Sequence, residues 1–274
     1  MTNTQKTNFW KVFDFCQAFG HSVIDNMDKN ASLNSGPGNE YLKQNPKLAK
    51  LRYDLIKEEV SELTEAVENN DIIEVIDALC DILYVVYGAG ISFGINIDTY
   101  FRNYIKGRVV QSGKIFKAIN FDTTNYNILT SFTTLDMGTT QELFNKKKDF
   151  IQNSLIILNN KLTSFQEAID INEYKKMIIP LIELTYTTYL IGIMVNIDLD
   201  KGFDIVHRSN MSKLCSTEEE AVKTLDNYIN NDKRYDSPAY RKGEHGDYYV
   251  VYNKSTNKIL KSINYTPTNF EEML

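Results

Sequence analysis

The residues that usually build a disulfide or zinc framework are few. The 274-residue chain has three cysteines (Cys16, Cys80, Cys215) and three histidines (His21, His207, His245). The cysteines are odd in number and share no C-x-x-C spacing, which argues against a stapled scaffold and for free thiols. With no recognisable secretory leader, a reducing, cytoplasmic setting is expected. Long apolar runs are scarce too. The stretch "MIIPLIELTYTTYLIGIMVNI" (177–197) comes nearest to a membrane span, but Pro180, Glu183 and its threonines fit a buried helix better. Positive charge is in deficit: 30 Lys and Arg against 36 Asp and Glu leave a net charge of −6. No bulk attraction to nucleic acid or to an anionic membrane is expected. An acidic chain that takes a polyphosphate ligand needs a local device, such as a metal ion, to hold it.

What is present is a globular composition, 42% hydrophobic and 24% charged. Apolar residues recur at helical intervals through Leu55, Ile56, Val60, Leu63 and Val67, predicting a helix over about 51–68. Asp71 is placed to cap a second helix over about 72–91, and a shorter helix follows near Tyr100. Residues 28–40 read as loop. Further helices are predicted near 10–19, 141–169, 173–195 and through "KGFDIVHRSNMSK". The segment "DYYVVYNKSTNKILKSINY" (247–265) predicts two short strands around a polar turn.

Shifted by 102 residues, the chain overlays itself without a gap from about Leu55 to Phe101. Glu65, Ala66, Asn70, Ile76, Leu79, Tyr84, Tyr87, Gly90, Ile91, Ile95, Asp98 and Phe101 each meet an identical residue. A tandem duplication is expected from this. The fold class is then all-α, a helical bundle of two repeats related by a pseudo-twofold, with a short C-terminal β-hairpin. The expected organisation is a first repeat at 1–108, a connector at 109–138, a second repeat at 139–230 and an extension at 231–274.

The second helix, "DIIEVIDALCDILYVVYG" (71–88), holds Glu74, Asp77 and Asp81 within roughly 60° of arc, at about 100° per residue. Almost all the rest of its circumference is apolar. On the preceding helix, Glu59 lies inside the apolar arc, Glu62 at its edge and Glu58 just beyond. Both helices therefore aim carboxylates at the side that should pack. A solvated stripe explains Glu65 and Glu68 but not Glu59. Neither face carries Lys or Arg, whereas a divalent cation would neutralise the cluster. The donors are all oxygen, and no histidine stands three residues after an acid in these helices. That favours Mg²⁺ or Mn²⁺ over iron, through Glu59, Glu62, Asp77, Asp81 and Glu74.

These residues resemble a known signature. "EEVSEL" at 58–63 followed by "DALCDILYVVYG" at 77–88 is similar to the acidic motifs of the MazG-like all-α nucleoside triphosphate pyrophosphohydrolases. The phosphoribosyl-ATP pyrophosphohydrolase-like branch also shows an "F…AFGH" opening, here Phe15–His21, and a "VHRSNMSK" tail, here Val206–Lys213. "KILKSINYTPTN" (258–269) is similar to that branch's ending. The resemblance implies cleavage of the α–β phosphoanhydride, releasing a monophosphate and pyrophosphate with Mg²⁺ (or Mn²⁺), as house-cleaning or pool control. It implies metal ligation by Glu59, Glu62 and Asp81. Ala78 stands where the family's next Glu belongs, so Asp77 or Glu74 would substitute. Glu58 matches the extra glutamate implied to help activate water or to hold a further ion.

Glu58, Glu59, Glu62, Glu74 and Asp77 align across the repeat with Asn160, Lys161, Ser164, Lys176 and Ile179; Asp81 alone meets an acid, Glu183. "HRSNMSK" is confined to the second repeat, where Arg108 of the first faces Asn210. One composite site is expected, with Asn210, Lys213, Arg208, His207 and His21 reaching the nucleotide. Trp10, Phe13, Phe19 and His21 are available to a base but are expected first as core. The expected partner is a nucleoside triphosphate, taken by a monomeric pseudo-dimer or a homodimer of it. The alternatives are a non-catalytic nucleotide or metal sensor and a purely structural bundle.

Overall fold

The computed structural model describes residues 6–24, 38–112, 120–232 and 234–274. Its helices are α1 (Asn8–Ala18), α2 (Gly38–Gln44), α3 (Pro46–Asn69), α4 (Ile72–Phe93), α5 (Ile97–Ser112), α6 (Asn125–Thr130), α7 (Thr140–Lys146), α8 (Lys148–Asp170), α9 (Tyr174–Met194), α10 (Leu199–Met211) and α11 (Glu218–Asn230). Two strands, β1 (Pro238–Lys242) and β2 (Tyr249–Asn253), pair antiparallel. Most of the loop expected at 28–40 lies outside the described residues.

The helix ends follow local chemistry. Pro46 opens α3, where its missing N–H costs nothing. Asn70 closes that helix in the left-handed conformation, φ 56°. Asp71 caps α4 as expected, its carboxylate accepting from the backbone N–H groups of Ile73 and Glu74 at 3.1 and 3.2 Å. The single helix expected over 141–169 is interrupted at Lys147. A capping box between Thr139 and Glu142 starts α7, and α8 begins one residue after the break.

α4 is the central helix, with Val75, Ile76, Leu79, Ile82, Leu83 and Val86 fully buried among α1, α3, α9 and α10. Each such side chain contributes about 1.5–3 kcal/mol of transfer free energy. α9 is long and apolar enough by composition to cross a membrane, but 72% of that apolar window is buried inside the bundle. Its Thr185 and Thr188 satisfy their hydroxyls on the carbonyls of Leu181 and Leu184.

Four successive helices start at equal offsets: α2 and α7 at 38 and 140, α3 and α8 at 46 and 148, α4 and α9 at 72 and 174, α5 and α10 at 97 and 199. The turns match as well. Asn172 repeats the positive φ of Asn70, and Asn196 that of Gly94. A Cβ on Gly90 would lie 2.6 Å from Ile97 and one on Gly192 2.6 Å from Leu199, so each turn needs glycine for the close approach of the next helix.

Tyr87 and Tyr189, 102 residues apart, join their hydroxyls across the centre at 2.9 Å. Asn8 donates to the Tyr189 hydroxyl (3.1 Å) and to Asp200 (2.8 Å); Asn125 donates to the Tyr87 hydroxyl (3.1 Å) and to Asp98 (2.8 Å). Thr7 and Thr124 complete the pattern by donating to Asp98 and Asp200 at 2.6 and 2.5 Å. The region expected as a plain connector therefore contains α6, which carries one corner of this polar knot.

The expected C-terminal hairpin forms, with one expected strand, β2, and a different partner. β2 takes β1 as its partner, and 258–265 contributes only an isolated bridge from Ile259 to Tyr252. The polar turn after β2 exists, closed by the Asn253 N–H on the Lys258 carbonyl at 2.9 Å, but no ladder extends from it.

The knot is buried and, apart from the unpartnered Asn125 Oδ1, its members satisfy one another, so opening it is costly. Asn125→Ala should lower stability by about 1–3 kcal/mol, with a melting temperature drop of about 2–4 °C per kcal/mol. Lys223→Ala on the surface should stay within about 0.5 kcal/mol. Thermal unfolding of the two variants checks this.

Candidate active site

α3 and α4 run antiparallel from the Asn70–Asp71 turn. Glu62 and Asp77 therefore stand about two turns from it on facing helices, and Glu59 and Asp81 about three. Glu58, Glu62 and Glu74 are exposed; Glu59, Asp77 and Asp81 are half-buried. Burial, reinforced by Asp81, Glu62, Glu58 and Asp77, pushes the Glu59 carboxyl up to about 8. Asp81 rises to about 7 through burial and Asp77, opposed by the attraction of Lys213. Asp77 rises to about 6 through burial, Glu74 and Glu62. The six acids thus share one electrostatic environment. Among the described residues, none of them makes a side-chain hydrogen bond or ion pair. Like charges also hold them apart, and no three lie close enough as they stand to grip an ion.

The tail of α10 crosses the same face of α4. The Tyr84 hydroxyl, one turn beyond Asp81, is hydrogen-bonded by Asn210 and lies 3.1 Å from His207 Nδ1. Lys213 donates to Asn210 Oδ1 at 2.6 Å and feels Asp81 without contacting it. His21 stacks on Phe15, and burial together with Arg52, Arg241 and Lys213 pushes it down to about 4, so the ring is neutral at physiological pH. Of the sequence-expected residues, Lys213 is within electrostatic reach of Asp81, Asn210 holds Lys213, His207 reaches Tyr84 one turn beyond Asp81, and His21 lies near Lys213. Arg208 is exposed and lines a recess of about 440 Å³ with Ile205, Ser209, Thr266 and Glu272. Phe19 is core, and Trp10 lines a separate recess of about 460 Å³ with Asp98 and Arg102. Tyr84, which links both histidine-tail residues to the acidic helix, was not singled out by sequence. Its adjacency to Asp81 on the same stripe was the available signal.

The corresponding face of α8 and α9 is chemically different. Lys161, at the position of Glu59, pairs with Glu183, at the position of Asp81, at 2.8 Å. Tyr104 donates to the other oxygen of Glu183 at 3.1 Å, and Arg108 donates to Tyr104 at 2.7 Å while covering the ring of Tyr186. The same helical frame that leaves Asp81 unpaired gives Glu183 an ammonium and a phenol.

Acids whose proton affinity rises on folding favour the protonated native state. Their cost is absent below the unfolded carboxylate range and grows as pH climbs through about 8 for Glu59. In chelator-containing buffer the melting temperature should therefore fall between pH 5 and 8.5. Glu59→Gln should flatten that fall. Lys161→Ala should cost no more than about 1 kcal/mol and leave the slope as it is.

The family profile of phosphoribosyl-ATP pyrophosphohydrolase matches residues 34–107. That span contains every acid of the cluster and stops short of Asn210 and Lys213. The whole chain aligns with uncharacterized protein L479 of Acanthamoeba polyphaga mimivirus, at 34% identity over 282 residues, covering 100% of this chain and 98% of the relative. No solved structure matches. The matched span carries the paired acidic helices as one all-α unit, and residues 34–107 are a phosphoribosyl-ATP pyrophosphohydrolase domain of the MazG-like all-α nucleoside triphosphate pyrophosphohydrolase superfamily.

Proposed function

We propose that the chain is a Mg²⁺-dependent nucleoside triphosphate pyrophosphohydrolase with one composite site. The observation that carries this reading is the cluster of six carboxylates with no ion pair or hydrogen bond from any described residue, beside a counterpart in which Lys161 neutralises Glu183. Membership of the superfamily supports pyrophosphohydrolase chemistry at the level of the family.

The donor set is all oxygen and suits a hard cation, with Glu59, Glu62, Asp77 and Asp81 as ligands and Glu74 at the margin. A bound Mg²⁺ would polarise phosphoryl oxygens and lower the pKa of water. Glu58, exposed at the edge of the cluster, orients the attacking water and takes its proton. Attack at the α-phosphorus breaks its bond to the α–β bridging oxygen, and pyrophosphate leaves with that oxygen. Lys213 offsets charge on the leaving group. Tyr84 holds Asn210 and His207 in register with the acids, and neutral His21 offers the nucleotide a hydrogen bond without repelling Lys213. The chain reads as a fused pseudo-dimer. The equal helix offsets and the mirrored Asn8 and Asn125 contacts support that reading.

The test is pyrophosphate release across ribo- and deoxynucleoside tri- and diphosphates. Activity should require Mg²⁺, disappear with chelator and return on re-addition. Glu59→Gln and Asp81→Asn should each lower kcat/KM by about 10²–10⁴-fold. Mg²⁺ should raise the wild-type melting temperature in a concentration-dependent way, and the Glu59→Gln protein's much less. An untouched nucleotide panel sinks the enzyme reading, and tight binding without turnover would make the chain a sensor.

A further inference from the structure

The residues after Lys213 do not belong to the matched family span, and the chemistry above does not use them. They form a small unit of their own, in which α11, the hairpin and the following segment pack around Cys215, Ala221, Tyr228, Val251 and Leu260. This unit is laced to the tail of α10. Cys215 and Tyr249 exchange backbone hydrogen bonds at 2.9 and 2.7 Å. Ser262 donates to the Ser212 carbonyl at 3.1 Å, the Thr266 N–H donates to the Ser212 hydroxyl at 2.9 Å, and Ser209 donates to the Tyr265 hydroxyl at 3.0 Å. A second tether runs from β1, where Arg241 donates to the Phe19 carbonyl at 2.8 Å, next to His21.

These tethers fix where the charges of the segment lie. Lys258 and Lys261 sit on either side of buried Leu260, and both are exposed. Ile259 packs against the same cluster as Met211 and Leu214, and Ser262 is bonded to Ser212, so both lysines adjoin the Lys213 segment; burial and their charges weaken the hold of Lys213 on its proton, opposed by Asp81. Among the described residues, Lys213, Lys258 and Lys261 enter no ion pair: Lys213 donates to Asn210, and Lys261 lies 4.3 Å over the Tyr265 ring. In a chain with a net charge of −6, three ammonium groups without an ion pair gather from two tethered segments, and one of them, Lys213, is within electrostatic reach of Asp81. Like charges brought together without a partner gain most from an anion that spans them.

We propose that Lys258 and Lys261 extend Lys213 into a polyphosphate-binding wall opposite the carboxylates. This wall takes up the β- and γ-phosphates of a nucleoside triphosphate and makes the chain prefer three phosphates over two. The proposal rests on the reading that the acids form the phosphoanhydride-cleaving centre, and it assigns Lys258 and Lys261 a role in specificity rather than in catalysis. Their backbones serve the fold independently of their side chains. The Lys258 carbonyl accepts from Asn253 and the Lys261 carbonyl from Tyr228, so truncation at either position leaves the tethers intact.

The experiment compares the full-length wild type with Lys258→Ala/Lys261→Ala and with a charge-matched surface control, Lys223→Ala/Lys254→Ala. Binding of pyrophosphate and of inorganic tripolyphosphate is measured by calorimetry with and without Mg²⁺, and kcat and KM are measured separately for a turned-over nucleoside triphosphate and its diphosphate. For the wall variant, polyphosphate affinity should weaken by about tenfold or more, and triphosphate KM should rise by a similar factor. Its kcat and melting temperature should stay within about twofold or a degree or two of wild type, and its diphosphate KM should rise by less than its triphosphate KM. The control should match wild type throughout. Unchanged polyphosphate affinity and an unchanged triphosphate-to-diphosphate KM ratio in the wall variant would overturn the proposal, as would an equal loss in the control. The two readings fail separately. Lysine-dependent polyphosphate binding without turnover of any nucleotide keeps the wall and removes the enzyme, whereas turnover with lysine-independent binding removes the wall alone.

Discussion

The hydroxyls of Tyr87 and Tyr189 meet at the centre of the bundle, and the position of everything functional depends on that meeting. Neither phenol could be buried there alone, because an unsatisfied hydroxyl costs a sizeable part of the stability a domain possesses. Each is satisfied by the other and by an asparagine at the start of a helix, Asn8 or Asn125, which in turn anchors to Asp200 or Asp98. The result fixes α4 against α9 in one register. Because Asp200 lies in the first turn of α10, it also fixes where α10 crosses α4. Three turns along, that crossing delivers His207, Asn210 and Lys213 to the face that carries Asp77 and Asp81.

Much of this was legible in sequence, and the reason differs from element to element. Asp71 could be read as a cap because capping is local: a short acceptor ahead of an apolar run has little else to do. The acids could be read because α4 is otherwise apolar around its circumference, so three carboxylates on one stripe stand out against the burial the rest of the helix demands. The knot could not be read. Thr7–Asn8 and Thr124–Asn125 lie 117 positions apart, out of step with the 102-residue offset of the helices, so a gapless overlay passes over them. Asn and Thr at a helix start also read as caps, which hides a tertiary role behind a local one. β1 was missed for a related reason. "PAYRK" has a proline and two cations in five residues, and what makes it a strand is its partner and the Arg241 tether, not its own propensity. Lys258 and Lys261 stand in a segment read as a strand, and only the lacing of that segment to Ser209 and Ser212 sets them beside Lys213.

The two faces of the bundle show what separates a stabilising arrangement from a functional one. Glu183 and Lys161 neutralise one another, with Tyr104 and Arg108 completing the set. Glu59 and Asp81 occupy the corresponding positions, and burial with neighbouring carboxylates, Asp81 among those acting on Glu59, lifts the proton affinity of both. A fold selected for stability alone would be expected to treat both faces as it treats the first, because the backbone frame is the same and a lysine at the position of Glu59 evidently fits that frame. Local disagreement with the rules of stability, in a chain that obeys them elsewhere, is where a functional site is expected.

This division also explains why one centre suffices. On the reading of the chain as a fused pair, a symmetric ancestor would place acids from each unit under the tail of the other and would carry two strained clusters. Here the acids remain on α3 and α4, and the basic tail remains after α10. The opposite pairing, α8 and α9 with α5, has become a neutral joint. Electrostatic strain is then confined to one end of the α3–α4 pair. The Tyr87–Tyr189 contact and the Lys161–Glu183 pair carry no opposing charge of their own to relieve. Strain confined in this way can be met by a ligand or by protonation without loosening the frame that aligns α10 with α4. A second tail-linked unit, built on α11 and the hairpin, could therefore be added on the strained side alone, where it sets Lys258 and Lys261 beside Lys213, the lysine that acts on Asp81.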